Sequence, residues 1–198
     1  KKTQAADKEN FKPTEMLKTG QFYLIWFMYF CGAGAGLMFI GKLSTIAALQ
    51  ARIDLGFLLV ALLAIGNGAG RIVAGIVSDK IGRKFTMLIF LFFQALLIFS
   101  LSFVKEGSFL ATPVMMAVIS AFIGFNYGTN LSLFPAITKD YYGLKNFGVN
   151  YGLVFTAWGF AGFLLSLLLS AIYDNMQSFT IAYYIMAALL VIAALSSL

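Results

Sequence analysis

The sequence has no histidine, one cysteine and eight acidic residues among its 198 positions. The general bases, metal ligands and catalytic triads that histidine supplies are therefore excluded. Cys31 cannot form an intrachain disulfide. All carboxylates lie outside the long apolar segments, so no carboxylate pair shares a buried pocket; these residues are Asp7, Glu9, Glu15, Asp54, Asp79, Glu106, Asp140 and Asp174. We expect no enzymatic activity, no metal site and no cofactor.

Charged residues are scarce and apolar residues abundant. The chain is 61% hydrophobic and 11% charged, whereas soluble domains are roughly half apolar and a quarter charged. The charges occur in short clusters between long apolar runs, which is typical of a protein whose solvent is lipid. The net charge of +6 does not indicate nucleic-acid binding, because the basic residues lie at the ends of apolar segments and not along one face.

Six segments are long and apolar enough to cross a bilayer, which takes about 20 residues of helix. Helices are expected because backbone polar groups in lipid must bond within their own segment. The predicted spans are residues 21–40, 55–77, 85–104, 113–134, 149–172 and 179–195. We predict an all-α, polytopic membrane protein, with residues 1–20 as a cytoplasmic linker and 21–198 as the transmembrane domain. Glycine-rich stretches within two spans, CGAGAG at 31–36 and GNGAG at 66–70, predict points at which helices pack closely or flex.

The positive charges are divided unequally between the two sides of the predicted bundle. Ten lysines and arginines lie in the N-terminal segment and in the loops after the second and fourth spans, and three lie on the other side. The positive-inside rule then places both termini in the cytoplasm, with the protein in the cell membrane. Three helices followed by three that enter from the opposite side is the arrangement of an inverted repeat. With no initiator methionine and no signal-peptide pattern, the chain is expected to begin within a longer polypeptide.

The loop after the second span reads GIVSDKIGRK. It matches G-x-x-x-D-[RK]-x-G-[RK]-[RK], the loop signature of the major facilitator superfamily, at Gly75, Asp79, Lys80, Gly82, Arg83 and Lys84. On this resemblance the loop is a gate latch: Gly75 lets a neighbouring helix approach, and Asp79 accepts from a helix N-terminus or from Arg83. The alternative is a loop that is basic only because it faces the cytoplasm.

Arg71 is the only charged residue within a predicted span. Arginine there costs ~2.5–3.5 kcal/mol or more unless it is paired or wetted, so it indicates a polar cavity. The alternative is snorkelling, because Ser78 at the cytoplasmic end lies roughly 10 Å away at ~1.5 Å per residue. No acidic residue in the apolar cores neutralises Arg71, which leaves an anionic substrate, water or a group outside this chain as its partner.

Asn67 lies four residues before Arg71, on the same helical face. A guanidinium fork and an amide together suit a carboxylate. For Asn67 alone, a hydrogen bond between helices explains the residue equally well.

Further polar and aromatic candidates lie in three other spans. They are Asn126, Tyr127 and Asn130 in the run FNYGTN of the fourth span, Tyr29 in the first, and Tyr151 and Trp158 in the fifth. So polar a turn is expected to face protein or water, and the Tyr127 hydroxyl is a candidate donor to a substrate oxygen. For each aromatic residue, packing between helices is the alternative.

The stretch FPAITKDYYGLKNFGVNYGLVFTAWGFAG, residues 134–162, resembles the oxalate/formate antiporter and monocarboxylate transporter branch of the same superfamily. Full members have twelve helices, so the resemblance implies a C-terminal half that works with an N-terminal six-helix half. Asn67 and Arg71 match the place where this branch keeps its substrate-binding arginine. Oxalate-type relatives carry a lysine where this chain has Trp158, and one cation instead of two favours a monoanion.

The resemblance implies the C-terminal half of a secondary active transporter for small organic anions, in particular monocarboxylates such as lactate, pyruvate or formate, working by alternating access in the lipid bilayer. Symport and antiport stay open. Because no group in the spans titrates near neutral pH, a proton symporter would take its proton site from the other half or the substrate. The alternatives are a six-helix membrane sensor or scaffold without transport, and a superfamily carrier of a neutral solute.

Overall fold

The computed structural model describes residues 10–52 and 54–198, and the regular elements in these ranges are all helical. Two short helices are α1 (Pro13–Met16) and α3 (Leu43–Ile46), the latter continuing into a π-helical turn, Ala47–Ala51. The six long helices are α2 (Gly20–Ile40), α4 (Gly56–Ile81), α5 (Arg83–Ser100), α6 (Pro113–Tyr142), α7 (Phe147–Met176) and α8 (Thr180–Leu195). The predicted all-α membrane fold is confirmed.

The six long helices correspond to the six predicted spans. Five are long and apolar enough to cross a membrane, and α8, with 16 residues, is about 24 Å long at ~1.5 Å per residue. Helix α6 continues eight residues past the predicted end at 134 and contains Pro135. Proline has no N–H to donate, so α6 lacks one of its internal hydrogen bonds there.

The contacts between helices show the inverted repeat. The most extensive pairings are α4 with α6, α2 with α7, and α5 with α8. If α2, α4 and α5 form one repeat and α6, α7 and α8 the other, the first helix of each repeat packs on the second helix of the other, and the two third helices pack together. This is the pairing that a two-fold axis in the membrane plane produces.

Helices α4 and α6 approach each other at four glycines, which are Gly66, Gly70, Gly124 and Gly128. A β-carbon at Gly70 would overlap the carbonyl of Phe125, and one at Gly128 would overlap the carbonyl of Asn67, far inside the 3.0 Å that β-carbons keep from other atoms. In lipid, helices associate through such close packing because no hydrophobic force drives them together. The predicted role of the GNGAG stretch is therefore confirmed.

Residues 10–19 of the predicted linker pack against the bundle, and residues 1–9 lie outside the described residues. The Phe11 N–H donates to the Tyr142 carbonyl at 3.1 Å. The Phe11 carbonyl accepts from the side-chain amides of Asn146 and Asn150, at 2.9 and 3.1 Å. Met16 is fully buried. The chain is therefore attached to the turn between α6 and α7 before it enters α2.

Candidate functional site

Arg71 and Asn67 are in contact on α4. The Arg71 Nε donates to Asn67 Oδ1 at 3.1 Å, so the predicted contact is present. Because a guanidinium Nε–H can only donate, the amide oxygen faces it and the amide nitrogen points elsewhere. Within the described part of the chain, the Nη groups of Arg71 and the Asn67 Nδ2 have no hydrogen-bond partner. These nitrogens form a donor set matched to the oxygens of a carboxylate.

The direction of the Arg71 side chain argues against snorkelling. The residue is exposed in this chain, but its partner Asn67 lies one turn toward the start of α4 and so away from the nearer, Ser78 end. Side chains tilt toward the N-terminus of their helix, and the hydrogen bond to Asn67 holds Arg71 in that direction. The guanidinium therefore points along α4 toward Asn67 and not toward the headgroups at the Ser78 end.

An aromatic group on α2, α6 and α7 forms the second part of the site. The Trp158 Nε1 donates to the Tyr127 hydroxyl at 2.9 Å, and the hydroxyls of Tyr29 and Tyr151 lie 3.4 Å apart. The Phe155 ring stacks on Trp158 with ring centroids 5.3 Å apart. Since the Tyr127 oxygen accepts from Trp158, its own O–H proton is available to another acceptor.

The two parts of the site adjoin each other. The backbone of Asn67 packs on Gly128, the residue after Tyr127. On α2, a β-carbon at Gly36 would overlap the Tyr127 ring, so this helix lies directly against Tyr127. Helices α2, α4, α6 and α7 thus contribute to one place, which combines a cation, an amide and phenolic hydroxyls.

Asn126 and Asn130 lie on α6 within one turn of Tyr127. They are 1% and 4% exposed, and each donates its Nδ2 to a carbonyl four residues earlier in its own helix, at 3.0 Å. Neither bonds to Arg71 or to the aromatic group. Both amides thus bond within α6 in this structure, and the substrate contact predicted for them stays a prediction.

Arg83 joins three elements at the other end of α4. It forms ion pairs with Asp79 at 2.7 Å and Asp140 at 3.1 Å, and it donates to the Ser78 hydroxyl. Asp79 and Ser78 belong to α4, Arg83 begins α5, and Asp140 lies in the last turn of α6. The predicted contact between Asp79 and Arg83 is present.

The remaining residues of the loop signature have separate roles. Gly82 has a φ of +88°, a backbone conformation that L side chains rarely adopt, so glycine suits the turn between α4 and α5. Gly75 does not mark a close approach within this chain, because a β-carbon there would meet only the Ser132 hydroxyl at 3.8 Å. The glycines of α4 that do mark a close approach are Gly66 and Gly70, earlier in the helix. Lys80 and Lys84 are exposed, as expected for basic residues at a membrane surface.

Replacing Asp140 with asparagine should destabilise the protein more than replacing Asp79 with asparagine. Asp140 is the less exposed carboxylate, 31% against 69%, and it links the end of α6 to Arg83, 57 residues away in sequence. We expect a loss of about 1 kcal/mol for Asp140→Asn and less than half of that for Asp79→Asn, because exposed ion pairs between residues close in sequence contribute little. Thermal unfolding of the detergent-purified carrier measures the stability of both variants. Equal losses would contradict the larger contribution of the Asp140 ion pair.

Two residues of these networks were not predicted from the sequence. Phe155 has no polar group, and its stacking on Trp158 depends on their spacing in α7. Asp140 is 57 residues from Arg83, and only the packing of α4 on α6 brings the two together. The acidic residue shortly after the fourth predicted span was the available signal.

Comparison with known proteins agrees with the helix arrangement and the loop signature. The family model described as the Major Facilitator Superfamily matches residues 22–198. The oxalate:formate antiporter of Oxalobacter formigenes is 30% identical over 155 residues, which is 75% of this chain and 35% of the antiporter. The uncharacterized MFS-type transporter YhjX of Escherichia coli K12 is 27% identical over 153 residues, or 76% of this chain and 37% of that protein.

A third relative is monocarboxylate transporter 9 of Mus musculus, 28% identical over 131 residues, or 66% of this chain and 25% of the transporter. The chain thus matches a quarter to just over a third of the length of these relatives. The family match covers all six long helices except the first two residues of α2. On this match, with the inverted repeat and the loop signature in place, the chain belongs to the major facilitator superfamily.

Proposed function

We propose that this chain is the C-terminal half of a secondary active transporter for small monocarboxylates. One observation carries the proposal: the Arg71 guanidinium, held by Asn67 in the middle of a membrane helix, has unpartnered Nη groups within the described part of the chain. A cation at that depth is stable only with an anion or water beside it. A carboxylate that visits the site supplies the missing charge and accepts hydrogen bonds from both Nη groups.

The residues near Arg71 favour a substrate with a single negative charge. In the aromatic group, Trp158 donates to Tyr127, so this group adds hydroxyls and apolar surface beside Arg71 but no second cation. One fixed positive charge balances a monoanion, whereas a dianion would leave one charge uncompensated in a medium of low dielectric constant. Formate, lactate and pyruvate fit this description better than oxalate.

The exposed face of α4 gives this half its place in a complete carrier. Arg71 is exposed here although it lies in a membrane-spanning helix, and an N-terminal six-helix half packed against α2, α4, α6 and α7 would enclose it. Rocking of the two halves about Arg71 would then open the site to each side in turn. In this orientation both termini and the Arg83 network face the cytoplasm, and the carrier lies in the cell membrane.

Counterflow in proteoliposomes tests the proposal with the full-length carrier. Vesicles loaded with unlabelled lactate should accumulate labelled lactate, pyruvate or formate, and accumulate oxalate and lactamide at least ten-fold more slowly. Lactamide is the matched control because it has the shape of lactate without the charge. Equal uptake of lactamide would favour a carrier of neutral solutes. The absence of counterflow for every compound would favour a sensor or scaffold.

A further inference from the structure

A second cation lies at the opposite end of the bundle from the Arg83 network. Lys42 follows the last turn of α2 and is half-buried. It lines two adjoining cavities of about 350 and 320 Å³. Within residues 10–52 and 54–198, its ammonium group has no ion pair and no hydrogen bond. The stem of such a lysine can lie on apolar surface while its ammonium stays open to an approaching anion.

Hydroxyl groups surround Lys42 in the same cavities. Ser166 and Ser170 lie one turn apart on α7 and share the first cavity with Lys42, and Thr45 shares the second with Lys42 and Ser170. None of these three hydroxyls bonds to another group in the described part of the chain. An ammonium with several free hydroxyl donors is a donor set for a small anion.

One carboxylate faces the same place. Asp174 lies one turn beyond Ser170 on α7 and lines the second cavity, but it does not come within the 4.0 Å of an ion pair with Lys42. It lowers the positive potential around Lys42 without neutralising it by contact. Replacing Asp174 with a neutral residue should therefore strengthen the binding of an anion at this site.

We propose that Lys42, Thr45, Ser166 and Ser170 form a second binding site for a small carboxylate, at which the substrate rests on its way between the outer solution and Arg71. The proposal rests on the proposed function. Helices α2 and α7 hold this site and also the aromatic group beside Arg71, so both sites lie along the same pair of helices. Lys42 is thirteen residues beyond Tyr29, about 20 Å along α2 at ~1.5 Å per residue.

The separation decides how the two cations act. At physiological ionic strength the Debye length is ≈ 8 Å, well under the roughly 20 Å along α2 between Lys42 and Tyr29 of the aromatic group, so Lys42 acts on a small anion separately from the site beside Arg71. The carrier thus keeps its preference for monoanions at Arg71, while Lys42 raises the local concentration of anions at the outer entrance.

The test compares charge variants of the full-length carrier in vesicles of known orientation. Lys42→Gln should raise the KM for lactate entering from the outer side about three- to ten-fold, with kcat nearly unchanged, and the difference should shrink in high salt because it is electrostatic. Entry from the cytoplasmic side should keep its KM. Asp174→Asn should lower the outer KM, and Lys42→Arg should behave as the unsubstituted carrier.

Lys105 supplies the matched control, since it lies at the same end of the bundle and lines neither of these cavities. Lys105→Gln should change the outer KM by less than two-fold. An unchanged KM in Lys42→Gln, or equal changes in both lysine variants, would overturn the second site. If Arg71→Ala abolishes lactate uptake while Lys42→Gln has no effect, only this inference fails, whereas unchanged uptake in Arg71→Ala refutes the proposed function itself.

Discussion

Replacing Gly70 with alanine should remove most of the folded carrier. The added methyl group would overlap the backbone carbonyl of Phe125, which cannot rotate away as a side chain can. Helices α4 and α6 would have to separate along their whole contact, the most extensive pairing in the bundle. Overpacking costs typically 1–3 kcal/mol where side chains can shift, and we expect at least about 3 kcal/mol against backbone. Size-exclusion chromatography and thermal unfolding in detergent measure the loss.

Gly68 provides the control for this experiment. It lies two residues earlier in the same helix, and a β-carbon there would meet nothing within 4 Å. Gly68→Ala should fold normally and melt at the same or a higher temperature, because alanine favours helix over glycine by about 1 kcal/mol. If Gly70→Ala melts together with Gly68→Ala, the two helices do not approach each other as described.

Replacing Arg71 with alanine should reduce carboxylate transport at least about 100-fold. Hydrogen bonds to a charged group contribute ≈ 1.5–3 kcal/mol each, and loss of the two from the Nη groups amounts to about 3–6 kcal/mol, with each 1.4 kcal/mol equal to ten-fold. Arg71→Lys should restore only part of the rate, because an ammonium keeps the charge but not the fork. Initial rates of lactate uptake, normalised to the amount of carrier in the vesicles, give the comparison.

Asn67→Ala should have an intermediate effect, about ten-fold. The variant keeps the guanidinium and removes the hydrogen bond that orients it. A loss as large as that of Arg71→Ala would mean that Asn67 contacts the substrate itself. Full transport in both Arg71 variants would refute the carboxylate site.

The spans could be predicted from the sequence because length and hydrophobicity alone determine which segments cross a bilayer. The contact between Arg71 and Asn67 was also predictable, since residues four apart in a helix are neighbours whatever surrounds them. The pair of Asp79 and Arg83 was expected from the loop signature, and these residues too are only four apart. Each of these predictions needs only the geometry of one segment.

The contacts between segments could not be predicted in the same way. The pair of Arg83 and Asp140 depends on the packing of α4 against α6. The polar turn at Asn126 and Asn130 was predicted to face protein or water, and the structure shows both amides buried in protein and bonded to their own helix. Hydrophobic periodicity is weak in a membrane helix, since lipid and protein interior are alike apolar, so the sequence does not show which face turns inward.

The attachment of Phe11 to Asn146 and Asn150 determines where the two halves of a carrier would pull on each other. A force applied through the chain before Asn10 would act on the hydrogen bonds at the junction of α6 and α7, and little of that force would reach the first turn of α2. Because residues 10–19 pack on the bundle, they do not lengthen the connection between the halves. That connection is up to about 33 Å shorter than it would be if residues 10–19 were extended and free, at ~3.3 Å per residue. An insertion before Asn10 would then weaken the mechanical coupling between the halves. An insertion between Thr19 and Gly20 would loosen only the packing of residues 10–19 on the bundle.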